Sequence, residues 1–176
     1  MSASTAGKVL RFVVEQRAGL IERLRNMVDA ESPSKNPVSH QLILSVLRNA
    51  FAGVGYRTRL LNGSGGHQHI FAVPADRRRG RPLQLLLGHY DTVWPLGTTT
   101  NRPFTVDDNT IRGPGVFDMK GGLAQIVFAL KAVRELGLET TLEPVVFVNS
   151  DEEIGSRTST RYVRRLAKKS ARAFVM

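Results

Sequence analysis

Apolar residues recur at helical spacing over 8–28, through Leu10, Val13, Val14, Leu20, Ile21, Leu24 and Val28, which predicts one amphipathic helix there. The breaker-rich ESPSKNP (31–37) reads as a loop. Helical periodicity resumes over 38–51 through Leu42, Val46 and Leu47, with Gly53 or Gly55 to end it. Residues 56–61 and 69–73 read as neighbouring strands about the turn NGSGG (62–66), and 74–82 as a polar connection. Two short apolar runs, 83–87 and 144–148, have the continuous character of strands covered on both faces. Between them, 104–106 and 110–111 flank Asp107, Asp108 and Asn109 as a hairpin. Residues 121–136 form a long helix, with Leu123, Ile126, Val127, Leu130 and Val133 inward and Gly137 as its stop. A basic amphipathic helix follows over 157–169, with Tyr162, Val163 and Leu166 inward, and 173–176 opens another strand.

Strands alternate with helices, so the expected class is α/β, a mixed, largely parallel sheet flanked by helices. In such sheets sites form beyond the carboxyl ends of the strands. The two apolar runs both end at residues able to do chemistry, which directs attention to 88–92 and 149–153.

Composition narrows the picture. A chain of 176 residues with 41% hydrophobic and 23% charged residues can build one soluble core. The absence of cysteine excludes disulfides and thiolate metal sites and fits a cytoplasmic protein. No apolar stretch approaches the ~18 residues of a membrane span, so no membrane partner is expected. The net charge of +10 raises the question of nucleic acid. Seven of the bases follow Glu153 with no acid among them: Arg157, Arg161, Arg164, Arg165, Lys168, Lys169 and Arg172. Arg77, Arg78, Arg79 and Arg81 form a second cluster in a connecting loop. A basic helix face and a basic loop read as solvated surface, and no nucleic-acid partner is expected.

The chemistry sits in three places. His89 and Asp91, spaced HxD, close the run LQLLLGHYD. Their side chains leave the strand end on the same side, where a carboxylate can orient an imidazole. Asp118 lies among the glycines of GPGVFDMKGG, either as a cap for the helix beginning near Gly121 or as a carboxylate offered from an exposed loop. Glu152 and Glu153 follow Asp151 after the second run, and three adjacent acids need open water or a cation to relieve their repulsion. One imidazole and several carboxylates are the inventory of a metal-assisted hydrolase. GPGVFDMKGG lacks the spacing of a phosphate-binding loop, and no GxSxG is present. His40, His67 and His69 fall in loops or at exposed edges and receive no role.

Together, GHYDTVWPLGT, RPF, GPGVFDMKGGLA and NSDEEIGS resemble the zinc-dependent exopeptidase and deacylase family of glutamate carboxypeptidase, aminoacylase, acetylornithine deacetylase and succinyl-diaminopimelate desuccinylase, most of all the glutamate carboxypeptidase branch. The resemblance implies that His89 and Asp118 hold one zinc and Asp118 and Glu153 another, with cobalt or manganese as substitutes. It implies that Asp91 orients His89, that Glu152 is the general base, and that the peptide after Asp118 is cis. The implied reaction is hydrolysis of an amide in a small peptide or N-acyl amino acid, with a carboxyl-terminal glutamate favoured. The family also uses a further carboxylate, a late histidine and a dimerisation domain. Residues 1–176 are therefore expected to be the amino-terminal part of a catalytic domain, feeble alone, from a protein that is a homodimer when complete. The alternative is a non-catalytic binding module derived from such an enzyme.

Overall fold

A computed structural model of the chain describes residues 4–77 and 80–176. Arg78 and Arg79 of the expected basic loop lie outside the described residues. Two helices open the chain, α1 (Thr5–Glu15) and α2 (Arg17–Asp29), then α3 (Gln41–Gly53). The hairpin β1 (Tyr56–Asn62) and β2 (Gln68–Pro74) leads to β3 (Leu83–His89), a short helix α4 (Thr98–Asn101) and the small ribbon β4 (Thr105–Val106) and β5 (Ile111–Arg112). Then come α5 (Gly121–Glu135), β6 (Glu143–Asn149), α6 (Thr160–Ala167) and β7 (Ser170–Val175).

The main sheet has the order β1-β2-β6-β3-β7. Pairings of β1 with β2 and β2 with β6 are antiparallel; β3 runs parallel to both β6 and β7. The mixed α/β class holds, with the parallel part confined to β3 and its two neighbours. The two apolar runs became β6, the middle strand, and β3 beside it, where both faces of the sheet are covered. Val146 and Val148 of β6 face α2, α3 and α5, while Val145 and Phe147 alternate to the other face and meet Tyr162, Val163 and Leu166 of α6. In register, His89 stands beside Asn149, so both strands end at one level and their loops share one crevice.

The opening helix differs from expectation. It is two helices, joined at Gln16, and Leu10, Val13 and Val14 are 66%, 39% and 64% exposed. Phe12 takes the core position instead, 8% exposed. Apolar residues occupy more of the circumference of α1 than one packing face can cover, so a single helix phase drawn through them chose the wrong face. Leu42, placed inward by the same periodicity, is also exposed.

Candidate metal centre

His89 is delivered by the last residue of β3 and is buried. Its Nδ1–H donates to the backbone carbonyl of Asp91 at 2.9 Å, with Asp91 Oδ1 at 3.4 Å. That leaves Nε2 facing outward, 2.9 Å from Asp118 Oδ1 and 3.8 Å from Glu152 Oε2. Burial alone lowers the imidazole pKa, but the hydrogen bonds and charge of Asp91, and the hydrogen bond to Asp118, outweigh it and hold the pKa at about 9.

Asp118 stands on the irregular loop Val116–Lys120 that crosses from the ribbon to α5, and its carboxylate is two-thirds exposed. It makes no capping contact with α5, whose first turn has no side-chain cap. The Asp118–Met119 peptide is cis, as the resemblance implied. Met119 tucks beneath the loop and its sulfur accepts the His89 N–H at 3.1 Å. Gly115 precedes the loop at φ +70°, and a Cβ there would lie 2.7 Å from Thr92 Cγ2. Only glycine serves at that corner.

The turn Glu152–Ile154 presents the glutamate pair, and Asp91 holds it. The Asp91 carboxylate, fully buried, accepts from the backbone N–H of Glu152 at 3.2 Å, from that of Glu153 at 3.2 Å and from Ser34 Oγ at 2.7 Å. Its reach is therefore wider than orienting His89. Asp151 turns inward and accepts from the N–H groups of Thr158 at 2.6 Å and Ser159 at 3.2 Å. Burial opposes its charge, but hydrogen bonding from the Ser159 side chain, then from the Thr158 backbone and side chain, keeps its carboxyl below the usual range. The acidic run is thus relieved by separation: one carboxylate is inside, two are at the crevice. Burial, then the charge of Asp118, raises the Glu153 carboxyl.

Ligand atoms of His89, Asp118 and Glu153 all lie within 4.8 Å of one another, and among the described residues they are the one group of three or more candidate ligands so gathered. The donor set, one imidazole nitrogen and two carboxylates converging from separate segments, fits a divalent cation.

Three residues escaped the sequence reading. His40, His67 and His69, expected in loops or at exposed edges, are 1%, 7% and 0% exposed. The antiparallel β2 runs back beside β6, so its start lies under the loop that follows Asn149. There His67 Nδ1 meets the Ser150 carbonyl at 3.0 Å, and His69 Nε2 meets Thr158 Oγ1 at 3.1 Å. Burial pushes the His69 pKa down to about 4. Lys120 is equally concealed, 1% exposed, its Nζ donating to Ala30 O at 3.0 Å. No local signal marked His67, His69 or Lys120, because the groups they meet lie 83, 89 and 90 positions away; His40 bonds Pro33 O at 2.9 Å.

Comparisons with known proteins bear on the same residues. Residues 85–176 match the model for Peptidase family M20/M25/M40. The chain is similar to carboxypeptidase G2 of a Pseudomonas species, 28% identical over 160 residues that cover 91% of this chain and 39% of that protein. It is also similar to acetylornithine deacetylase of Klebsiella pneumoniae, 31% identical over 127 residues covering 70% of this chain and 32% of that protein. The structure of human carnosine dipeptidase 1 shares the fold, with a TM-score of 0.79 at 19% identity, over 96% of this chain and 40% of that one. The chain therefore spans about 40% of the length of such relatives or less.

Proposed function

The chain belongs to Peptidase family M20/M25/M40, and from that premise we propose that it is the amino-terminal part of the catalytic domain of a metal-dependent hydrolase that cleaves an amide bond of a peptide or N-acyl amino acid. The observation that carries this reading is the convergence of His89, Asp118 and Glu153 at the shared carboxyl end of β3 and β6.

His89 and Asp118 would hold one cation and Asp118 and Glu153 a second, with zinc preferred. Bound there, such cations supply Lewis acidity to the substrate carbonyl and to an attacking water. The chain's own residues do the rest. Asp91 fixes the His89 ring by its carbonyl and the glutamate turn by its carboxylate. Glu152, whose carboxylate is half-exposed in the crevice and free of Asp91's grip, takes the proton of the attacking water and returns it to the leaving amine nitrogen. One C–N bond breaks, one C–O bond forms, and water supplies both the oxygen and the protons. A carboxyl-terminal glutamate in the substrate and a homodimeric complete protein belong to the same proposal and rest on the family resemblance alone, and a cytoplasmic location rests on the absence of cysteine.

Three side chains shared between two cations are fewer than the three per ion that catalytic zinc normally has. The 176-residue chain by itself is thus expected to bind zinc weakly and to hydrolyse little. Isothermal titration tests both statements. Zinc should bind this chain with measurable heat that His89→Ala abolishes. Equal zinc binding by the wild type and by His89→Ala would refute the site; two tight sites with robust turnover of an N-acyl amino acid would refute the expected weakness.

A further inference from the structure

At the end of the sheet opposite His89 the chain folds around a cavity of about 860 Å³, a size that suits a small molecule. It lies about 20 Å from the candidate metal centre, six strand rises of ~3.3 Å along β3 and β6. Leu130 and Val133 of α5 and Leu138 beyond it give the cavity an apolar wall.

Five charged groups line the space, Asp76, Arg81, Arg134, Glu139 and Glu143, and none makes an ion pair among the described residues; Arg81 is tied instead to the backbone carbonyl of Thr140, and Glu143 and Arg134 are the two that matter here. Glu143 is the first residue of β6, its backbone N–H tied to Pro82 O at 2.8 Å. Its side chain is 5% exposed, and Oε1 is buried with no hydrogen-bond partner among the described residues. Native proteins rarely leave such an atom unmatched, and each instance calls for an explanation. Arg134, near the end of α5, arches over Gly55: a Cβ at Gly55 would collide with its guanidinium, and Gly55 sits at φ +81°. Arg134 makes no ion pair among the described residues. The cavity thus has an unmatched acceptor buried in its wall, an unpaired guanidinium at its surface and hydrocarbon beside them.

We propose that this cavity binds a small zwitterion with an apolar side chain, an amino acid or dipeptide, its ammonium turned to Glu143, its carboxylate to Arg134 and its side chain to Leu130, Val133 and Leu138. Arg–carboxylate pairing is directional and strong, and a buried acceptor left unpaired carries a desolvation cost that a donor reaching it relieves. The site is separate from the hydrolytic centre and does not depend on it.

The test uses the whole 176-residue chain in chelator, so the metal reading does not enter. Amide shifts of Gly55, Gly137 and Thr141 are followed while leucine, leucyl-leucine, N-acetyl-leucine and leucinamide are added in turn. Leucine or leucyl-leucine should saturate those shifts with a Kd below about 1 mM. Removing the ammonium or the carboxylate should weaken binding by about tenfold or more, the loss of one charge-assisted contact. Glu143→Gln should erase the difference between leucine and N-acetyl-leucine, and Arg134→Met the difference between leucine and leucinamide. Should Glu143→Gln fail to fold, the exposed Arg134→Met still decides. No saturable shift up to about 10 mM, or equal affinity for all ligands, would overturn the proposal.

Discussion

Replacing Asp91 by asparagine removes one acceptor oxygen and changes almost nothing in volume. Oδ2 of Asp91 receives Ser34 Oγ at 2.7 Å and the Glu153 N–H at 3.2 Å; Oδ1 receives the Glu152 N–H at 3.2 Å. An asparagine offers one oxygen, so whichever way its amide turns, one of the two backbone N–H groups faces an NH₂. Ser34 can adapt, since its hydroxyl also reaches Thr92 O at 3.0 Å. The backbone donor cannot. An orphaned buried donor costs about 1–3 kcal/mol, and the surviving contact falls from charge-assisted to neutral at a cost of about 1 kcal/mol. A total of about 3 kcal/mol should lower Tm by roughly 6–12 °C in a chain of this size. Zinc affinity should fall as well, by about 10–100-fold, because the loosened turn carries Glu153. Differential scanning calorimetry in chelator measures the first effect and isothermal titration the second. Ser34→Ala, which leaves both backbone donors paired, is the control and should cost no more than about 1 kcal/mol. An Asp91→Asn protein melting within about 2 °C of wild type, with unchanged zinc affinity, would show that the buried carboxylate does not hold the glutamate turn.

The glutamates should separate by role: Glu153→Ala lowers zinc affinity by about tenfold or more, whereas Glu152→Gln leaves it within about threefold, and calorimetric titration distinguishes them. His69 is held neutral by burial, with a pKa of about 4 against 6.5 outside the fold. The unfolded chain therefore binds the extra proton first, and the stability present above pH 6.5 is lost as pH falls towards 4. The loss amounts to at most about 3 kcal/mol, and urea midpoints at neutral and mildly acid pH should show it shrinking in His69→Gln. On α1, Phe12→Ala should cost about 3 kcal/mol, while Leu10→Ser should stay within about 0.5 kcal/mol, the reverse of what helical periodicity alone suggests. Chemical denaturation of both variants gives the comparison directly.

The chemistry of the candidate site was legible because it is written locally. HxD closes a strand, an aspartate sits among glycines, a glutamate pair follows a second strand, and strand ends are where α/β sheets place their sites. The helix over 121–136 was equally plain in extent, and of its expected inward residues Leu123, Ile126, Val127 and Leu130 are buried while Val133 is only half-buried and lines the cavity. The wider role of Asp91 was not legible, because an oxygen that accepts from residues some 60 positions away leaves no trace in the letters beside it.

By itself the sequence determined which segments are apolar enough to be central strands and which side chains can bind a cation. Tertiary structure alone decided that these meet. The parallel register of His89 with Asn149 brings two strand ends level, and the antiparallel return of β2 sends His67 and His69 inward beneath them. It also decided which side of α1 is inside. Periodicity states that a face is apolar; whether that face finds a partner depends on contacts distant in sequence, whose energies no local pattern contains.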